Sequence, residues 1–192
     1  MVDDWVNRSI RYPGAVAMRF RVARLRLLGM QIGRKCWVRR IRVPRNPWDI
    51  AIGDEVALDD DVVLLTTGLR ADQPRIAVGA GTYVNRFTMF DASERIEVGR
   101  RCLVGPFCYI TDHDHAQASE GFTHEQGLVG APVVVGDEVW IGAGVIILKG
   151  VSIGHGSIIG AGSVVTHSVP PHAKVVGVPA HGIDVRVPVS PK

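Results

Sequence analysis

The sequence predicts an all-β solenoid, a parallel β-helix in which three short strands make one coil. Branched aliphatic residues recur every six positions between residues 133 and 170, at Val135, Ile141, Ile147, Ile153, Ile159 and Val165. A small or β-branched residue lies four positions after each of the first five. A helix would space its apolar residues three or four apart, and an ordinary strand would alternate them. An interval of six instead indicates a strand, a corner and the next strand, with glycines such as Gly142 and Gly160 at the corners.

Composition agrees with this architecture. The chain has 192 residues, of which 46% are hydrophobic and 21% charged, an ordinary globular balance for one domain with short appendages. Aromatic residues are only 6%, whereas glycines number 22. This combination favours a core of stacked Val and Ile layers, as in a solenoid.

The same register extends towards the N-terminus. An aliphatic residue followed by Gly recurs at intervals of 20, 26, 20, 37 and 18 residues, at Ile32, Ile52, Val78, Val98, Val135 and Ile153. Three hexapeptides make 18, so the interval of 37 predicts one long inserted loop at 112–132, and such insertions often lie on the functional face. We therefore expect a basic helical segment at 1–31, a β-helix at 32–170 and a tail at 171–192. The Pro170-Pro171 pair should end the regular coils, with Val175 to Ile183 running back along them.

The first 45 residues are strongly basic, with twelve Lys or Arg against two Asp. Residues 15–29 are predicted to form an amphipathic helix after Pro13, with an apolar stripe at Val16, Phe20, Ala23 and Leu27 and arginines at 19, 21, 24 and 26. The favoured interpretation is a helix that covers the open first coil, since the end of a solenoid must be capped. The alternative is a helix that lies on an anionic membrane surface.

Other features predict a cytoplasmic protein. Cys36, Cys102 and Cys108 occupy the small-residue position of the repeat, where Cys acts as a compact buried hydrophobe and not as half of a disulfide. The N-terminal residues lack the apolar run of a signal peptide, and no stretch is long and apolar enough to span a bilayer.

Residues 136–180 resemble the hexapeptide-repeat acyltransferases, in particular the maltose, galactoside and polysaccharide O-acetyltransferases. Their sequence is GDEVWIGAGVIILKGVSIGHGSIIGAGSVVTHSVPPHAKVVGVPA. The resemblance is strong from about Ile76 to Ile183. It implies a left-handed parallel β-helix, acetyl-CoA as cosubstrate, a saccharide acceptor and a homotrimer with active sites between neighbouring chains. It implies no nucleic-acid partner.

The inserted loop opens with the most polar group of residues in the chain, Thr111-Asp112-His113-Asp114-His115. Acyl transfer from a thioester to an alcohol needs a base for the hydroxyl proton, and His is the usual choice. A carboxylate or a backbone carbonyl must then fix the tautomer of the ring. In the family that the sequence resembles, the base lies nine residues after a Pro; counting from Pro106 reaches His115, and His113 is the alternative. His113, His115 and His124 do not have the spacing of a zinc site of this fold, so no metal is expected.

The resemblance also implies an acceptor site. It places Asn85 as an amide that grips sugar hydroxyls. Asp91 would be the acceptor carboxylate, although the local spacing differs by two residues. Asn85 can also be explained as a buried ladder residue of the solenoid.

On the donor side, the resemblance implies that the pantetheine arm lies along a corner between coils, against main-chain groups. The residues at matching positions are Trp140, Gly142, Ala143, Gly160, Ala161, Thr166, His167, Pro179 and His181. The same glycines are also explained by the corners alone. His167 and His181 replace the Lys and Arg that commonly meet CoA phosphates in the family, and Lys149 and Lys174 could supply that charge instead.

These features predict an acetyl-CoA-dependent O-acetyltransferase that acts on a sugar or saccharide unit by direct transfer, without a covalent enzyme intermediate. The alternatives are a non-catalytic β-helix for binding or assembly and an acetyltransferase of antibiotics or other xenobiotics. A purely structural solenoid gives no reason for the polar insertion that begins at Asp112.

Overall fold

The computed structural model describes residues 2–116, 122 and 126–185, with side chains from Gly14 to Ile183. It contains helix α1 (Val2–Leu27), a 3₁₀ turn (Pro47–Asp49) and 21 short strands. In chain order the strands are β1 (Gln31–Ile32), β2 (Trp37–Val38), β3 (Ile50–Ile52), β4 (Ala57–Leu58), β5 (Val63–Thr66), β6 (Ile76–Val78), β7 (Tyr83–Val84), β8 (Met89–Ala92), β9 (Ile96–Val98), β10 (Leu103–Val104), β11 (Tyr109–Thr111), β12 (His113–His115), β13 (Leu128–Gly130), β14 (Val133–Val135), β15 (Trp140–Ile141), β16 (Ile146–Ile147), β17 (Ser152–Ile153), β18 (Ile158–Ile159), β19 (Val164–Val165), β20 (Ala173–Val176) and β21 (His181–Val185).

The strands form the three faces of a left-handed parallel β-helix. Face A is β1-β3-β6-β9-β14-β17, face B is β2-β4-β7-β10-β15-β18-β20-β21, and face C is β5-β8-β11-β16-β19. Each coil crosses the faces in the order A, B, C and therefore has three edges, which we name AB, BC and CA. The predicted fold class is confirmed.

The predicted register is also confirmed. The six aliphatic residues that begin successive coils, from Ile32 to Ile153, pair directly with one another along face A. The six residues spaced by six, Val135 to Val165, are each at most 2% exposed. Because the inward side chains of each coil stack on those of the next coil, the core is a series of thin layers.

The close stacking of the coils at their corners explains why glycine recurs in the repeat. A Cβ on Gly33, Gly79 or Gly105 would lie within 2.4–2.7 Å of backbone atoms of the next coil. Coils therefore stack too closely at these points for any side chain. The cysteines occupy the predicted small-residue positions, and the thiols of Cys102 and Cys108 donate to the carbonyls of Gly136 and Gly142 at 3.1 Å.

The N-terminal helix differs from the prediction in two respects. It begins at Val2 and includes Pro13, which was predicted to precede it. The predicted apolar stripe is wrong as a packing face: Phe20 is 73% and Leu27 88% exposed. A second face packs instead, because Leu25 is buried and Val22 partly buried against the core. As predicted, the helix ends before Gly29, which has φ of 97°.

Two further segments differ from the prediction. The insertion carries an antiparallel pair, β12 with β13, where only a loop was expected; its residues 117–121 and 123–125, including His124, lie outside the described part of the chain. At the C-terminus, the Pro170-Pro171 pair does not end the coils, because β20 still adds in parallel to β18. Prolines are tolerated there because a corner needs no ladder hydrogen bond. Only β21 runs back, antiparallel to β20.

Within the described residues, no helix is both long and apolar enough to cross a membrane.

Candidate active site

The imidazole of His113 is held at edge CA by a fully buried carboxylate. Asp112 is 0% exposed, and its Oδ1 lies 2.9 Å from Nδ1 of His113. The same carboxylate accepts from the Ser93 N–H at 2.8 Å, the Ser93 hydroxyl at 3.2 Å and the Glu94 N–H at 2.8 Å. Ser93 and Glu94 belong to the preceding coil, so Asp112 joins two coils and orients the ring at once.

This geometry selects one tautomer of His113. An ionised carboxylate only accepts hydrogen bonds, so a ring nitrogen facing Asp112 must carry a proton. The neutral ring then has its lone pair on Nε2. The side chain of His113 is 12% exposed, so the ring is largely enclosed. Nε2 is thus available as a proton acceptor.

A second carboxylate faces Nε2. Asp91 Oδ1 lies 4.0 Å from that nitrogen, too far for a direct hydrogen bond. Its Oδ2 accepts from the Tyr109 hydroxyl at 3.0 Å. Burial and the neighbouring Asp91 carboxylate raise the pKa of Tyr109, so its hydroxyl remains a donor. The gap between Nε2 and Asp91 can receive a small polar group that bonds to both.

The inserted arm continues from this cluster and is tied to the next coil. Lys149 Nζ lies 3.0 Å from Asp114 Oδ2 and 3.4 Å from the Val129 carbonyl. Lys149 is therefore engaged by the arm, and its predicted role at CoA phosphates loses support. His115 is exposed on the same arm, and among the described residues no side chain hydrogen-bonds to it. The structure therefore brings Asp91 and His113 together and leaves His115 outside their cluster.

The predicted acceptor and donor residues lie mostly at another edge. Asn85 follows β7, while Gly142-Ala143 and Gly160-Ala161 follow β15 and β18, so all lie along edge BC. The Asn85 Oδ1 accepts from the Arg86 N–H at 2.8 Å and thus also shapes its own corner. A Cβ on Gly144 or Gly162 would meet no atom within 4 Å. The backbone of edge BC is therefore open to the surrounding space at Gly144 and Gly162.

The remaining predicted donor residues are divided between the two edges. Thr166 and His167 follow β19 at edge CA, where the Thr166 hydroxyl lies 2.8 Å from His167 Nδ1. Pro179 follows a cis peptide bond at the C-terminal end of edge BC, and its carbonyl accepts from His181 Nδ1 at 3.1 Å. Trp140 is outward on face B and 54% exposed. One chain therefore carries two groups of predicted site residues, one at edge BC and one at edge CA, which we call half-sites. Face C separates them.

The described residues contain no group of His, Cys, Asp and Glu that could hold a metal ion.

The sequence analysis did not identify two residues around His113, Asp112 and Tyr109, as members of the site. The sequence analysis required a carboxylate or a backbone carbonyl beside the base but did not assign this role to Asp112, because the motif also contains Asp114. Tyr109 gave no signal beyond its outward position on a strand, and its contact with Asp91 depends on the pairing of β8 with β11.

Comparison with known proteins supports the resemblance. Residues 132–167 match the bacterial transferase hexapeptide family model of six repeats. A sequence search of curated proteins finds no match.

Solved structures share the fold across most of the chain. A maltose O-acetyltransferase from Clostridium difficile 630 is 28% identical, with 85% of this chain and 73% of that chain covered and a TM-score of 0.60. An acetyltransferase from Vibrio cholerae O1 biovar eltor, VCA0836 in complex with acetyl coenzyme A, is 25% identical, with 88% and 78% covered and a TM-score of 0.61. AntD, an N-acyltransferase from Bacillus cereus in complex with dTDP and 3-hydroxybutyryl-CoA, is 23% identical, with 86% and 88% covered and a TM-score of 0.72.

Proposed function

We propose that this hexapeptide-repeat chain is a CoA-dependent acyltransferase that moves an acetyl group from acetyl-CoA to a hydroxyl of a sugar or saccharide unit. The observation that carries the proposal is the set of contacts around His113: a buried carboxylate on Nδ1 and a second carboxylate 4.0 Å from Nε2. A solved acetyltransferase of the same fold in complex with acetyl coenzyme A supports acetyl-CoA as the acetyl donor.

In this proposal His113 is the base and Asp112 orients it. The acceptor hydroxyl lies between Nε2 of His113 and Asp91. Its oxygen attacks the thioester carbon as its proton passes to Nε2, and the C–S bond then breaks. The departing thiolate takes the proton from the imidazolium and leaves as free CoA, so the enzyme returns to its starting state without a covalent intermediate.

The residues at edge BC would bind the donor. Gly144 and Gly162, where an added Cβ would meet no atom within 4 Å, would leave room for the pantetheine arm beside Ala143 and Ala161, and backbone N–H groups there can stabilise the tetrahedral oxyanion. His181 and Lys174 would meet the nucleotide phosphates, and of these two only Lys174 carries a permanent charge; His167 lies across face C at edge CA. We therefore expect weak binding of the nucleotide part and tighter binding of the pantetheine part.

Separation of the two half-sites supports a homotrimer. If edge BC of one chain packs beside edge CA of its neighbour, the donor residues of one copy face His113 of the other. Each active site would then lie between chains.

A direct test is the release of free CoA from acetyl-CoA, followed with a thiol reagent, in the presence of simple sugars, oligosaccharides and nucleotide sugars. Mass spectrometry of the product then identifies the acceptor atom as oxygen or nitrogen. An O-acetylated saccharide is the expected product. Exclusive acetylation of amino sugars would instead favour N-acyl transfer, which is the activity of AntD. Turnover with antibiotics alone would favour the xenobiotic alternative, and no CoA release with any acceptor would favour a binding or assembly role.

A further inference from the structure

The N-terminal helix has an unpartnered apolar face. Val16, Phe20 and Leu27 are 53%, 73% and 88% exposed, and Ala23 between them is also exposed. At 3.6 residues per turn these four lie on one line of the helix, which we name the outer stripe. A cap needs no such stripe, because the opposite face already covers the first coil.

Two arginines of this helix hold it in place. Arg26 donates to the carbonyls of Ile32 and Gly33 at 2.8 and 2.7 Å, and Arg21 donates to the Val38 carbonyl at 3.2 Å. Their bonds to the backbone of the first coil fix the rotation of the helix. The outer stripe is therefore turned away from the coils by specific contacts.

Two other arginines flank the outer stripe. Arg19 and Arg24 lie about 70° from its centre, one on each side, by the helical rotation per residue. Both are exposed, and of the side chains that the structure describes, none pairs with either guanidinium. Next to Arg24, a cleft of about 530 Å³ between the helix and the first coil is lined by apolar side chains, including Leu28 and Trp48, and by Arg45. Arg24 therefore borders both the outer stripe and this cleft.

We propose that this surface docks on an anionic lipid bilayer, with the outer stripe among the acyl chains and Arg19, Arg24 and Arg45 at the lipid phosphates. An apolar face between cationic flanks is the pattern of helices that lie in the plane of a membrane surface. The 1–45 segment carries a net charge of +10, which favours an anionic partner. A second copy of the chain fits less well, because a two-fold contact through the stripe would bring like charges together. The inference is independent of the proposed acyl transfer.

The test is co-sedimentation of the purified chain with vesicles of phosphatidylcholine alone or with one third phosphatidylglycerol. We expect binding to the anionic vesicles only, weakening as salt is raised. Phe20→Ser with Leu27→Ser should abolish it. Arg19→Gln with Arg24→Gln should weaken it by about fivefold per arginine, the equivalent of about 1 kcal/mol for each charge at an anionic surface.

Val134→Ser with Arg101→Gln is the matched control, since Val134 is 40% exposed, Arg101 is exposed, and both lie on later coils than the first coil, which the helix covers. Its binding should equal that of the wild type. The proposal is overturned if the wild type fails to bind anionic vesicles at low salt, or if the control loses as much binding as the stripe variant. It is also overturned if the stripe variant binds normally but has a smaller mass in solution, since the stripe would then be a contact between copies. Circular dichroism of each variant checks that the coils are intact.

Discussion

At the scale of single residues, Asp112 links the fold to the chemistry. Its carboxylate accepts two backbone N–H groups of the preceding coil and lies against the ring of His113. The stacking of coils therefore places the carboxylate, and the carboxylate places the ring.

The cysteines allow a prediction about pH and reactivity. The thiolate is the reactive form, and burial raises the pKa of Cys102 and of Cys108. Because the raised pKa keeps both thiols protonated, their reaction with Ellman's reagent should stay slow through the pH range in which a free cysteine reacts, and become fast only on unfolding. Cys36, which is partly exposed, should react first in the folded chain.

A Cys36→Ser variant provides the control. Folded at pH 8, it should release almost no thionitrobenzoate, and in guanidinium chloride it should release two equivalents. Prompt release of two equivalents without denaturant would show that the two thiols are not buried in the core.

The choice between His113 and His115 shows what a count along the sequence can and cannot do. The motif located the polar cluster, because an interruption of the repeat stands out against a regular register. It did not indicate which ring faces the coil, since that depends on the antiparallel pairing of β12 with β13 and on the contact of Asp112 with Ser93. The roles of both histidines stay predictions.

At the scale of elements, the helix illustrates a related limit. Its sequence has two apolar stripes, and periodicity alone does not indicate which of them packs against the first coil. The bonds from Arg21 and Arg26 to coil carbonyls decide it, and such side-chain to backbone contacts leave no pattern in the sequence. The strands, by contrast, were predicted well, because an inward aliphatic side chain recurs at a fixed interval from strand to strand.

The coil register gives a stability prediction. Ile153 is 2% exposed within the stack, so Ile153→Ala should lower the free energy of unfolding by roughly 2–4 kcal/mol through lost burial and the remaining cavity. Chemical denaturation of both proteins measures the difference. Val134→Ala is a matched control on the same face, since Val134 is 40% exposed, and should change the value by about 0.5 kcal/mol or less. Equal losses in both variants would contradict the inward orientation of Ile153.

At the scale of the whole molecule, face B carries a ladder of exposed apolar side chains. Trp37, Leu103 and Trp140 are 45%, 53% and 54% exposed, and Leu103 pairs with both Tyr83 and Trp140 on neighbouring strands. Contiguous exposed apolar surface of this kind marks an interface. It supports the proposed trimer.

Light scattering after size-exclusion chromatography tests the trimer. The expected mass is three times the 20.8 kDa of one chain. Leu103→Arg should lower it, because a charge would be buried in the contact, whereas Leu69→Arg on an exposed loop should not. A wild type that remains a single chain at micromolar concentration would refute the trimer and would leave the two half-sites apart.

The central claim is that a base at His113 serves acyl transfer, and the turnover number with acetyl-CoA and a saccharide acceptor tests it most directly. A positioned base contributes typically 10²–10⁴ in rate. His113→Ala should therefore lower kcat by about that factor and leave the KM for acetyl-CoA near the wild-type value, because in the proposal the pantetheine arm is held along edge BC. His115→Ala should lower kcat far less. His155→Gln, at a ring that packs on His172 at edge AB, is the neutral control. Full turnover by His113→Ala together with loss of turnover by His115→Ala would contradict the account and return the role of base to His115.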